Sequence, residues 1–78
     1  MPTVLYIGPY RFFFYANENG EPSHIHVQRE HMLAKFWLKP TALAKSRGFS
    51  AQELNKLSGI VEANLATFQK AWDDFFDA

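Results

Sequence analysis

Two histidines stand two residues apart in Glu21-Pro22-Ser23-His24-Ile25-His26-Val27-Gln28-Arg29, and their spacing is the best opening for chemistry in this chain. Imidazole titrates near neutrality, passes protons in either direction and ligates borderline metals. The segment reads as a strand, and a strand sends alternate side chains to opposite faces. His24 and His26 therefore share one face, while Ile25 and Val27 seek the core on the other. Such a pair can serve as acid and base, or as two nitrogen ligands to Zn²⁺. A phosphodiester-cleaving site would add only a cation for the phosphate, Lys35 or Arg11, and a ring to stack a base, Tyr15 or Trp37. A metal site needs a third ligand. Asn17, Gln28, Glu30 and His31 are weak candidates and the chain has no Cys, so neither a metal nor a cofactor is expected. The plainest use of the pair is structural: two rings on a half-exposed sheet face, hydrogen-bonded to Tyr15 and Asn17 or covering a helix. Recognition of a partner comes next, then catalysis, with metal binding last.

The elements that position this face can be read along the chain. Thr3 to Ile7 is a β-branched and aromatic run ended by the turn signal Gly8-Pro9, and Tyr10 to Ala16 is a second, strongly aromatic strand. A polar connection from Asn17 to Pro22 leads into the histidine strand. A tight turn at Glu30-His31 then opens a fourth strand, Met32 to Leu38. Pairing Asn17 with His24 and Arg29 with Met32 builds one apolar face from Phe12, Phe14, Ala16, Ile25, Val27, Met32, Ala34, Phe36 and Leu38. A slip of one residue in either hairpin would put the histidines in the core, so the register is well specified. The other face collects Arg11 (opposite Glu30), Phe13, Tyr15, Asn17, His24, His26, Lys35 and Trp37. Of these, His24 and His26 are the candidate catalytic pair, and Arg11, Tyr15, Asn17, Lys35 and Trp37 the candidate binding residues. Lys35 opposite His26 places two potentially cationic groups together, an arrangement that invites an anion. Trp37, opposite His24, is read equally well as an exposed anchor or as a ring covered by a helix.

Beyond Leu38 the periodicity changes. Pro40 suits a helix's first turn and Gly48 its end, which predicts a short helix from Pro40 to about Lys45. Ser50-Ala51-Gln52-Glu53 is a capping box, and Leu54, Leu57, Val61, Leu65, Phe68, Trp72 and Phe75 then step by three or four along one stripe. Unbroken to Phe76, that second helix would run about 40 Å, long for a small sheet, so a break near Gly59 or a partner for its C-terminal half is expected. Lys45-Ser46-Arg47 is too short a basic run to indicate nucleic acid.

Bulk properties bound the function further. Seventy-eight residues make one domain, residues 1–78, divided into a sheet half (1–39) and a helical half (40–78). A chain this size buries only roughly 60–65% of its unfolded surface, and eight Phe, two Trp and three Tyr help such a small core reach stability. A net charge of zero argues against a general nucleic-acid binder. With no membrane-length apolar run and no signal-peptide layout, a soluble cytoplasmic domain is expected.

The residues also match a known pattern. Met1-Pro2-Thr3-Val4-Leu5, Gly8-Pro9-Tyr10-Arg11-Phe12-Phe13-Phe14-Tyr15, His24-Ile25-His26-Val27, Ala34-Lys35-Phe36-Trp37-Leu38 with Pro40, Gly48-Phe49-Ser50-Ala51 with Glu53-Leu54, and Ala71-Trp72 before Phe75-Phe76 span nearly the whole chain. Together they resemble a family of small bacterial proteins, the domain-of-unknown-function family numbered 4160. The family has no settled activity. The resemblance implies a second small protein encoded beside this one as a partner, in an arrangement similar to toxin–antitoxin pairs. The chain departs from the pattern twice: Ser23 stands where members usually carry a second Pro before the first His, and Asp73 where many carry a His after the Trp. A mechanism that used that third imidazole would not operate here.

The expected fold is therefore α+β: a two-layer domain with a hairpin-built antiparallel sheet of about four strands, one face covered by two C-terminal helices. Two functions of different class follow. One is a protein-interaction component of a toxin–antitoxin-like pair, with self-association through the C-terminal helix as a further partner mode. The other is a small enzyme acting on RNA phosphodiesters through His24 and His26.

Overall fold

The computed structural model describes residues 3–17 and 20–76; Met1-Pro2, Glu18-Asn19 and Asp77-Ala78 lie outside the described residues. Five strands precede two helices: β1 (Thr3–Ile7), β2 (Tyr10–Phe13), β3 (His24–Arg29), β4 (Met32–Leu38), β5 (Thr41–Arg47), α1 (Ala51–Ala63) and α2 (Leu65–Phe76). The strands form one antiparallel meander in chain order. Three of its connections are two-residue turns. Gly8 and Glu30 take positive φ in the first and third hairpins, and the Lys39–Pro40 peptide between β4 and β5 is cis. The helices lie on one face of the sheet, giving the expected two-layer α+β arrangement with one more strand than expected.

That extra strand is the main departure. Residues 41–47 are the edge strand β5 and not a helix. Ala, Leu and Lys favour helix in isolation, but pairing along the free edge of β4 outweighs intrinsic propensities of a few tenths of a kcal/mol per residue. The sheet half thus extends to Arg47 and the helical part begins at Ala51. In β5 Lys45 lies opposite Lys35 and Leu43 opposite Phe36, so Ala44 is the extra residue of a bulge. Downstream of it, Lys45 and Arg47 share the face of His26 and Lys35; upstream, Leu43 lies on the helix side.

The β3–β4 register is as expected, with Arg29 opposite Met32 and Ile25 opposite Phe36. The β2–β3 register is offset by two residues, Phe12 facing Val27 where Phe14 was expected. An even offset leaves the side chains of β2 and β3 on their expected faces, although β2 ends at Phe13 and not at Ala16, which takes Ala16 and Asn17 out of the sheet. It does move Arg11 opposite Gln28, not Glu30.

Phe12, Phe36, Ile25, Val27 and Leu38 are fully or almost fully buried beneath Leu57, Val61 and Phe68 of the helices. The ring of Phe12 stacks on Phe68 at 5.1 Å. Ser50 caps α1, its hydroxyl accepting from the Glu53 amide at 3.1 Å. Glu53 in turn accepts the Tyr10 hydroxyl at 2.6 Å and pairs with Arg29 at 3.1 Å, tying the start of α1 to β2 and β3. That hydrogen bond, with burial and the carboxylate's charge, holds the Tyr10 phenol above its ordinary pKa against a smaller opposing effect of Arg29. The long helix breaks at Asn64, five residues beyond Gly59. Asn64 ends α1 by bonding back to the Ile60 carbonyl through its side chain. Beyond this break α2 packs on β3 and β4, so Phe68, Trp72 and Phe76 pack inside this domain, with Phe75 left exposed. Among the described residues no helix is long and apolar enough to cross a membrane.

Candidate functional site

The two histidines share a strand but not an environment. His24 is 0% exposed. The end of β3 lies under α2, where the Trp72 ring comes within 4.7 Å of the His24 ring and Trp37 meets it edge-on at 5.7 Å. Its Nδ1 lies 2.9 Å from the Pro22 carbonyl. A carbonyl only accepts, so Nδ1 carries the proton and is already used. The rings of His24 and His26 touch at 5.1 Å, but His24 is enclosed and His26 reaches the surface.

His26 is half-buried. Its ring stacks on Phe13 at 5.3 Å and meets Tyr15 at 4.9 Å; Tyr15 itself is 38% exposed. Across the ladder stands Lys35, only 9% exposed, with Nζ held by the Glu21 carboxylate and lying 4.6 Å above the Trp37 ring. Trp37 is therefore half-buried beneath Lys35, between the two readings open to it from sequence. The desolvated ammonium is stabilised by both the carboxylate and the ring's negative face.

Next to Lys35 the sheet opens into a cleft of about 440 Å³ lined by Tyr15, His26, Leu33, Ala34, Lys35, Lys45, Ser46 and Arg47. Three cations and an imidazole from β3, β4 and β5 converge there. Glu21 neutralises Lys35, but among the described residues neither Lys45 nor Arg47 pairs with a carboxylate. Reading residues 41–47 as a helix hid this pair; an odd-numbered Lys45/Arg47 alternation was the available signal, at the spacing of one strand face.

Two further expected binding residues lie apart from the cleft. Arg11 shares the face of His26 but is committed toward β1, donating to Thr3 Oγ1 at 3.0 Å and Gln28 Oε1 at 3.3 Å, with its guanidinium over Phe13. Asn17 is exposed in the turn after Ala16, outside the sheet and outside the cleft lining. Among the described residues no three His, Cys, Asp or Glu side chains gather to hold a metal ion.

Ser23 and Asp73, the two departures noted in the sequence, meet through one residue. Ser23 Oγ donates to Gln69 Oε1 at 2.9 Å, and Gln69 Nε2 donates to Asp73 Oδ1 at 2.9 Å. This relay pins α2 beside the mouth of β3 and helps seat Trp72 on His24.

No curated protein and no solved structure matches the chain. A family comparison matches residues 10–73, from the first residue of β2 to the residue after Trp72, so both histidines, the whole cleft and the helix that buries His24 fall within it. The chain belongs to the family described as Domain of unknown function (DUF4160).

Proposed function

We propose that this chain is a non-enzymatic interaction module, one half of a toxin–antitoxin-like pair of the bacterial cytoplasm, and that its basic cleft receives an acidic segment of the partner protein. The observation that carries this reading is the split between the histidines. Acid–base chemistry on a phosphodiester calls for two proton-transfer groups reaching the reacting atoms, and here one imidazole is sealed under Trp72. What remains at the surface is His26 with Lys35, Lys45 and Arg47, a charge-matched surface for an anion.

The test is co-purification with the small protein encoded beside the gene, followed by calorimetry with the double variant Lys45→Glu/Arg47→Glu. Reversal of both charges is expected to weaken the pair by at least about tenfold and to flatten its salt dependence. Unchanged affinity would remove the cleft from the interface.

RNA is the second reading, favoured by one observation. The exposed Tyr15 ring beside His26 offers a stacking platform next to cations. It expects a short single-stranded RNA to be cleaved by the parent and spared by His26→Ala; no cleavage by the parent removes it.

A further inference from the structure

Resting on the cleft-binding reading, we infer that the acidic segment docks as a sixth strand along the outer edge of β5, with acidic residues at alternate positions facing Lys45 and Arg47. β5 is the last strand of the meander, seven residues long and mostly exposed, and among the described residues no strand pairs with its outer side. Its outward backbone groups are therefore a template for main-chain hydrogen bonds.

Side-chain chemistry chooses the occupant. Lys45 and Arg47 stand two residues apart on one face, so the matching groups on an added strand are also two apart. Both cations lack a carboxylate partner among the described residues, and opposite charges across a ladder stabilise it. On the opposite face of the same edge Leu43, 45% exposed, offers apolar contact to a residue of the incoming strand. The bulge at Ala44 puts the two chemistries on opposite faces of one edge.

A second copy of this chain is a poor occupant. Antiparallel pairing of β5 with itself about Ser46 would set Lys45 of each copy against Arg47 of the other, and pairing about Lys45 would set Lys45 against itself; like charges directly opposite are destabilising. The other edge, β1, is shorter, bulged near Val4 and free of charged residues. Charge thus selects β5 and an acidic partner.

The probe is a synthetic seven-residue peptide of alternating Glu and Val, with an otherwise identical peptide N-methylated at alternate amides. A Lys/Val peptide and a short oligouridylate serve as controls. Binding is followed by amide chemical shifts and hydrogen exchange on the intact 78-residue protein. The expected result is slowed exchange at β5 amides that do not point toward β4, an affinity loss of about tenfold or more on N-methylation, and a similar loss in Lys45→Glu/Arg47→Glu. Both substituted side chains are exposed, and an unchanged sheet spectrum confirms that the variant folds. If the Glu/Val peptide shifts the cleft signals but leaves β5 exchange unaltered and tolerates N-methylation, strand addition is overturned while the acidic-cleft reading stands. If the oligouridylate binds and the acidic peptide does not, or neither binds, both are overturned.

Discussion

Replacing each histidine separately should divide stability from recognition. His24 is fully buried against Trp72, Trp37 and His26, and its Nδ1 satisfies the Pro22 carbonyl. Truncating a buried aromatic to Ala costs about 3–5 kcal/mol; the imidazole is smaller, which lowers the figure, and the stranded carbonyl adds about 1 kcal/mol. His24→Ala should therefore lose about 3–4 kcal/mol. A domain of this length holds about 4–12 kcal/mol in total, so the Tm falls by roughly 12–30 °C. His24→Phe refills the space without the imidazole and should lose only about 1–2 kcal/mol, chiefly from the orphaned carbonyl. His26→Ala removes ring contacts with Phe13 and Tyr15 at a partly solvated position, worth about 1 kcal/mol. Urea denaturation measures stability, and calorimetry with the neighbouring-gene protein measures binding. The reasoning requires His24→Phe to bind like the parent. A folded His24→Phe protein that has lost the partner, or a His24→Ala protein as stable as the parent, would refute the packing role.

Two further outcomes follow from contacts elsewhere in the fold. Glu53→Gln should cost about 2–3 kcal/mol by weakening the bonds to Tyr10 and Arg29. Because the Tyr10 pKa is raised on folding, its contribution is fully present below about pH 10 and is lost as the pH rises through the folded-state value. In Glu53→Gln the tyrosinate absorbance titration should move toward the ordinary phenol range and stability should fall less steeply at alkaline pH; identical alkaline slopes in both proteins would contradict this. Gly48→Ala should cost about 1–3 kcal/mol in urea denaturation, since Gly48 has a φ of 98° and an added Cβ would lie 2.7 Å from Met32 Cγ. An unchanged urea midpoint would contradict the clash.

What the sequence made legible was whatever depends on neighbours in the chain. The turn residues Gly8-Pro9 and Glu30-His31 marked two hairpins, and the alternation of His24 and His26 with Ile25 and Val27 set the faces of β3. The short turn also fixed the β3–β4 pairing. The β2–β3 pairing slipped by two because the longer connection between Phe13 and His24 leaves the offset free while the polar–apolar pattern constrains only its parity. β5 was hidden because Thr41–Arg47 is composed of residues that also suit a helix, and its bulge breaks the period of two that would have marked it. Packing of the histidines on a helix was one of the readings open from sequence, but which ring seals His24 was hidden for a different reason. It depends on Trp72, forty-eight residues further along, brought back by a break at Asn64 that composition placed near Gly59. A face argued from alternation alone does not register what folds over its end.

The bulge in β5 also makes the surface charge of this domain a matter of counting. Lys45 and Arg47 face outward because one residue, Ala44, is spare in the ladder. Closing the bulge with Ala44 kept, so that it faced Lys35, would return β5 to simple alternation and rotate both cations toward the side occupied by α1, replacing them on the outer face with Ser46. A one-residue slip of register there would act as a change of charge, moving two positive groups through the sheet without altering composition. The connection between Phe13 and His24 carries no such coupling, since it joins strands whose faces are set by their own alternation. A slip of one residue should therefore be penalised within β5, where register and electrostatics are the same variable, whereas loss of the spare Ala44 alone would leave Lys45 opposite Lys35 and both cations outward.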